Sequence, residues 1–240
     1  MSDLAKTLSL PYPWHEQQWD GFNQLIEQGR LGHALMFNGP TGIGKRRLAM
    51  ALAQRLLCTA DMSRYACGCC KSCLLMLAGN HPDLSLLEPE EPGKYIKIDP
   101  VRILCTLLGK TSQQGGWKVA IITPAEAMNI NASNALLKSL EEPRGKTLLM
   151  LVADRPSLVS ATIRSRCQKQ NLSLPNAQIA TQWLAEITGN LEQSSSTLQL
   201  AAGRPLLALE YMQSDSLEAR NQFEGLVDRL RQGDMSALDA

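Results

Sequence analysis

Residues 34–47 read A-L-M-F-N-G-P-T-G-I-G-K-R-R, an apolar run that enters a glycine-rich loop, ends in lysine and opens a helix. A strand must precede such a loop and a helix must follow it, which commits the chain to an α/β architecture. Gly39, Gly44 and Lys45 meet the G-x-x-x-x-G-K spacing of a phosphate-binding loop, and Gly42 adds freedom between them. Glycines at these places let successive backbone N–H groups turn onto phosphate oxygens, the helix offers its positive end, and the lysine neutralises the outer phosphates. The next residue departs from the pattern. Arg46 stands where a serine or threonine hydroxyl would ligate the magnesium of a nucleoside triphosphate, and a guanidinium has no lone pair to give a metal. The loop keeps the means to hold the phosphates of ATP or ADP, and the sequence leaves that binding open. No catalytic magnesium is expected.

The context suits the motif. Residues 34–38 read as a buried strand, and Leu48, Ala49, Leu52, Ala53 and Leu56 mark the inner face of a helix running to Leu57. Upstream, Trp19, Phe22, Leu25 and Ile26 predict an amphipathic helix over 15–28 packed on the core. Further strands are expected at 84–87, 118–123, 147–153 and 168–172. Between them fall helical patterns, one opening at Asp99-Pro100 with Asp99 as the cap, one over 134–143 and a short one over 157–163. Strands alternating with helices predict a parallel sheet. Pro175 marks a boundary, beyond which only helical patterns follow, at 179–187, 197–202, 205–212 and 217–230. The expected organisation is a nucleotide-binding-like domain over 1–172, a helical domain over 173–213 and the start of a further helical domain over 214–240.

Composition bounds the function. The 240 residues, 44% apolar and 20% charged, suit one large domain and one small one. With 24 basic against 23 acidic residues, the net charge of +1 excludes tight autonomous binding to nucleic acid, so any DNA contact is shared with partners. No run approaches the roughly 18 apolar residues of a membrane helix, and residues 1–10 lack a charged-then-apolar leader pattern. A cytoplasmic protein with no membrane partner is expected.

A reducing compartment gives the seven cysteines a different meaning from disulfides. Cys58-x8-Cys67-x2-Cys70-x2-Cys73 is a spacing that offers four thiolates to one tetrahedral zinc, in an insert spanning 58–80. A filled four-sulfur shell leaves no position for water, so the metal would be structural, pinning an excursion too poor in apolar residues to pack itself. Cys69 is an alternative to a neighbour, though the paired x2 intervals favour Cys67 and Cys70. Cys105 and Cys167 read as small core residues. His81, with no second histidine nearby, reads as a turn residue.

In phosphate-loop ATPases a buried strand ends in an acidic pair that serves magnesium and the attacking water. Here Val119-Ala120-Ile121-Ile122 ends in Thr123-Pro124. Glu126 is the nearest acid, three residues on, and is the residue an active ATPase would have to use. Glu141 and Glu142 are adjacent, so on a helix they diverge by about 100° and cannot face each other as an acid/base pair. No intrinsic ATP hydrolysis is expected.

Three features together, the cysteine insert after the phosphate-loop helix, the run Asn134-Ala135-Leu136-Leu137-Lys138-x-Leu140-Glu141-Glu142-Pro143, and Ser165-Arg166-Cys167, resemble the bacterial clamp-loader AAA+ family of DNA polymerase III over nearly the whole chain. Within it, the strand end without acids is similar to the delta-prime branch, since the gamma/tau motor subunits carry Asp-Glu where this chain has Thr123-Pro124. The resemblance implies a hetero-pentamer with gamma/tau and delta subunits that places a sliding clamp on primed DNA. It also implies that Arg166 projects onto the ATP of a neighbouring motor subunit as an arginine finger in trans. An active AAA+ motor of the same complex is the alternative. Arg204 lies two residues early for the family's second-domain arginine, so that role is not carried over. The family's helical collar would begin near the end of this chain, which implies a truncated fragment.

Overall fold

The computed structural model describes residues 7–60, 64–114 and 116–214. Five strands, β1 (Ala34–Asn38), β2 (Leu84–Leu87), β3 (Lys118–Ile122), β4 (Thr147–Ala153) and β5 (Gln168–Asn171), form one sheet in the order β2-β3-β4-β1-β5. Every pairing is parallel. The three central strands are buried along their whole length, as continuous apolar runs must be when helices cover both faces. The polar β5 forms one edge, where exposed Gln168 and Lys169 discourage further strand pairing.

Alternation along the strands sorts the core into two clusters. Leu35, Phe37, Val119, Ile121 and Met150 point to the side covered by α1 (Glu16–Glu27) and α2 (Lys45–Leu57), where they meet Trp19, Phe22, Leu48 and Leu52. Ala34, Met36, Ala120, Ile122, Leu149 and Leu151 point to the other side, against Val101, Leu104, Leu136, Leu140 and Ile163. That side is covered by α4 (Ile98–Leu108), α5 (Ile130–Glu141) and the single turn α6 (Ala161–Arg164). Between α2 and β2 lies α3 (Lys71–Leu77). The chain divides into two compact units, residues 1–174 and a second starting at Pro175. The second contains α7 (Ala177–Thr188), α8 (Leu191–Leu200) and α9 (Pro205–Gln213), packed around Ala180, Leu184, Leu198, Ala201 and Ala208.

Several local expectations shift. Asp99 is not the cap of α4: Lys97 holds that position in extended conformation, and Asp99 and Pro100 lie inside the first turn, where proline needs no N–H partner and aspartate favours the helix dipole. Helix α5 starts earlier than its apolar pattern suggested, because Asn129 caps it by accepting from the Ala132 N–H at 2.8 Å. The expected helix over 157–163 is instead a 3-10 turn (Pro156–Leu158) followed by α6, and α8 begins at Leu191 rather than Thr197. The pattern at 217–230, and with it the expected start of a further domain at 214–240, falls outside the described residues apart from Ser214.

Candidate functional site

The phosphate loop joins β1 to α2, and all three of its motif glycines have positive φ: 151° at Gly39, 79° at Gly42 and 87° at Gly44. Two of them are demanded by contact as well as by conformation. A Cβ on Gly39 would lie 2.2 Å from the carbonyl oxygen of Leu172, and one on Gly44 would lie 2.4 Å from the Tyr12 ring. Tyr12 stacks on Trp14 with centroids 4.7 Å apart, the Arg47 guanidinium lies 4.5 Å from the Tyr12 centroid, and Trp14 Nε1 donates to the Ile43 carbonyl at 2.9 Å. The segment before α1 is therefore a brace on the loop. Sequence periodicity missed it because Tyr12 and Trp14 precede the helix and belong to no repeat; the only signal was aromatic residues alternating with Pro11 and Pro13.

His15 completes this brace and is buried, with neither ring nitrogen hydrogen-bonded. Burial, and then the nearby Lys45 charge, lower its pKa from 6.5 to about 4.

Lys45 is buried. Its ammonium donates to the carbonyls of Gly39 at 2.7 Å and Pro40 at 2.6 Å, and pairs with Asp154 at 2.5 Å. Arg46 pairs with Glu88 at 2.5 Å. Asp154 directly follows β4, Glu88 directly follows β2 and Thr123-Pro124 directly follows β3, so parallel strand order sets these positions side by side at the carboxyl ends of the sheet. They border a cleft of about 720 Å³ that Thr41, Arg46 and Glu126 also line.

Glu126, the acid an active ATPase would need, sits in the 3-10 turn Ala125–Ala127. Its Oε1 accepts the backbone N–H groups of Asp154 at 3.0 Å and Arg155 at 2.9 Å. One oxygen is thus committed to fixing the chain after β4.

The four cysteines Cys58, Cys67, Cys70 and Cys73 converge with all sulfurs within 4.8 Å of one another. Cys58–Cys70 and Cys67–Cys73 sulfur pairs are each 3.9 Å apart, close to the roughly 3.8 Å edge of a tetrahedron with Zn–S bonds of about 2.3 Å. Backbone N–H groups of Cys67, Cys70 and Cys73 point at the sulfurs of Cys58, Cys67 and Cys70 at 3.3–3.4 Å, an arrangement that favours thiolates. Donation from the Cys69 and Cys70 backbone lowers the Cys67 pKa, whereas burial raises that of Cys73. The donor set fits a four-sulfur metal site. Cys69 lies outside it, exposed, with its sulfur 3.6 Å from that of Cys67.

Ring and hydrogen-bond contacts dock this insert on the core beside its buried Ala66, Cys73 and Met76. Tyr65 stacks on Trp19 with centroids 5.5 Å apart. Ser72, between two of the cysteines, donates to the Leu57 carbonyl and accepts from His81 Nε2 at 2.8 Å, while His81 Nδ1 accepts from the Asp83 N–H at 3.1 Å. Because Nδ1 accepts, the proton is on Nε2, and burial lowers the His81 pKa. His81 is a buried strut between the insert and β2.

Arg166 follows α6, with its side chain 35% exposed. Its Nε and Nη2 lie 2.8 and 2.6 Å from Glu141 Oε1, and Nη1 donates to the Thr162 carbonyl at 3.0 Å. Glu141, the last residue of α5, is thus the partner of Arg166, a pairing that the sequence spacing alone did not reveal. Cys167 is buried, and Cys105 is partly buried against the same cluster.

A five-stranded parallel sheet in this order, a glycine loop entering α2 and a helical unit after it define a phosphate-loop module of the AAA+ class. The fold is shared with the RuvB Holliday-junction branch-migration motor of Thermotoga maritima, at TM-score 0.56 and 14% identity over 88% of this chain and 64% of that one. It is also shared with a DNA polymerase III gamma-subunit-related protein of the same organism, at TM-score 0.52 and 20% identity over 81% of this chain and 58% of that one.

A family profile described as "DNA polymerase III, delta subunit" matches residues 14–176. The DNA polymerase III subunit delta-prime of Pseudomonas aeruginosa is 45% identical over 92% of this chain and 67% of its own length, and that of Escherichia coli 36% identical over 95% and 69%. The chain belongs to the DNA polymerase III delta-prime family. It spans about two thirds of the length of these curated relatives. Among the described residues, no helix is long and apolar enough to cross a membrane.

Proposed function

We propose that the protein is a non-hydrolysing, stator-like subunit of the bacterial DNA polymerase III clamp loader, which presents Arg166 to the ATP of a neighbouring motor subunit while the complex places a sliding clamp on primed DNA. The observation that carries the reading is the state of the cleft at the sheet's carboxyl ends. The strand whose end would carry the acidic pair is followed by Thr123-Pro124, and Arg46, in place of the magnesium hydroxyl, is tied to Glu88. Glu126, the nearest acid, has its Oε1 taken by two backbone N–H groups. In this reading the cleft positions no catalytic metal and no nucleophile of its own.

In this reading its contribution to chemistry is made across an interface. An arginine finger stabilises charge on the transferred phosphoryl group and is worth about 10³ to 10⁵ in rate. A partly exposed guanidinium held by the Glu141 carboxylate, the Thr162 carbonyl and, at 3.5 Å, the Ser165 hydroxyl is oriented and still available to a stronger acceptor. The gamma/tau and delta subunits are the partners in this assignment. Residues 1–172 are assigned to the AAA+ module and 173–213 to the lid. A structural zinc held by Cys58, Cys67, Cys70 and Cys73 supplies rigidity to the insert and no reaction chemistry.

The test is ATP hydrolysis by a clamp loader reconstituted with the full-length subunit on primed DNA. Arg166→Ala is expected to lower turnover at the adjacent motor site by at least about tenfold, a conservative share of a finger's worth. The isolated subunit is expected to hydrolyse no ATP. Unchanged turnover with Arg166→Ala, or Lys45-dependent hydrolysis by the isolated subunit, contradicts the proposal.

A further inference from the structure

A lysine ammonium carries three N–H donors. In Lys45 the Gly39 carbonyl, the Pro40 carbonyl and the Asp154 carboxylate take one each, so no donor is left for a phosphate. The two ends of the ion pair differ in environment: the Lys45 side chain is 3% exposed and that of Asp154 34%. A buried ammonium needs a counter-charge, and here the chain provides it. Asp154 is also held in register, because Glu126 Oε1 grips its backbone N–H and that of Arg155. Arg46, the second cation beside the loop, meets Glu88 in the same way.

We infer that Asp154 is the specificity-determining residue of the phosphate loop: its carboxylate sits on the Lys45 ammonium in the role of a phosphate oxygen and excludes nucleoside diphosphates and triphosphates from the loop. An incoming phosphate has to displace a carboxylate from Lys45 and then remain beside it, like charge against like charge in a partly desolvated cleft. The glycine loop, the lysine and the helix are all retained, and the ligand they would hold is replaced by a side chain of the same protein. This inference is independent of what Arg166 does.

Asp154→Asn removes the charge while keeping side-chain size and the backbone N–H that Glu126 holds. The measurement is a titration of fluorescently labelled ADP onto the full-length subunit, with pyrophosphate as competitor. Asp154→Asn is expected to bind ADP at least about tenfold more tightly than the wild type, a change of about 1.4 kcal/mol, and to lose that binding when Lys45→Ala is added. Equal affinity in wild type and variant, or binding that survives Lys45→Ala, overturns the inference. A second readout serves if the variant folds poorly. The thermal midpoint of the wild type should not move with excess ADP, and a rise that disappears in Lys45→Ala overturns the inference without recourse to the variant.

Discussion

His15 makes the protein's stability depend on pH in a calculable way. Its pKa is about 4 in the native state, against 6.5 for an ordinary histidine, because burial penalises the charged ring and Lys45 repels it. The folded chain therefore binds fewer protons here than the unfolded chain, and this residue's contribution is fully present above pH 6.5. It declines as pH falls towards 4. At about pH 5 the unfolded imidazole is almost wholly protonated and the native one roughly one-tenth so. At about 1.4 kcal/mol per pKa unit the loss between pH 7 and pH 5 is about 2 kcal/mol. His15→Leu abolishes this term. It should cost little at pH 7, since neither ring nitrogen makes a hydrogen bond. Urea unfolding of both proteins at the two pH values isolates the effect, because protonation of the cysteines and of His81 is common to both. The wild type should lose about 2 kcal/mol more than the variant. Parallel pH profiles would refute the argument and place the Lys45 side of the brace in contact with water.

Two further outcomes are expected. Elemental analysis should give one zinc per chain, lost in Cys70→Ser, and removal of the metal should raise proteolytic susceptibility within 58–80 before the sheet unfolds, because the insert's own apolar anchors are few; a stably folded, metal-free wild type contradicts the site. Gly39→Ala should destabilise the fold by more than about 2 kcal/mol, combining a strained φ with a 2.2 Å approach to the Leu172 carbonyl that only backbone movement relieves. Denaturant midpoints check this, and a change under about 0.5 kcal/mol, the scale of a surface substitution, refutes it.

Features that depend on neighbours in the chain were legible without coordinates. The strand, loop and helix of residues 34–57 follow from an apolar run, three glycines and a periodic face, each set by local sterics and spacing. The four cysteines declare a possible metal site because three of them lie within seven residues and Cys58 ends the preceding helix. Helix starts were not legible from caps, and Asp99, the one residue read as a cap, lies inside its helix. Lys97 before α4 has no capping side-chain bond, and Asn129 lies well ahead of the apolar stripe it serves.

What the tertiary structure decided is the company that each charged residue keeps. Lys45, Arg46 and Arg166 were all visible as candidates, but Asp154 and Glu88 belong to no motif, and the run that contains Glu141 does not reveal that it meets Arg166. The order β2-β3-β4-β1-β5 brings the ends of separate strands together and so sets which carboxylate meets which cation. Sequence alone determined that this protein has a phosphate loop in which Arg46 follows the lysine and Thr123-Pro124 follows the strand where the ATPase pattern has a hydroxyl and an acidic pair. Only the packing of parallel strands, which converts sequence distance into adjacency at one edge of the sheet, decided that the loop's lysine is already answered from within.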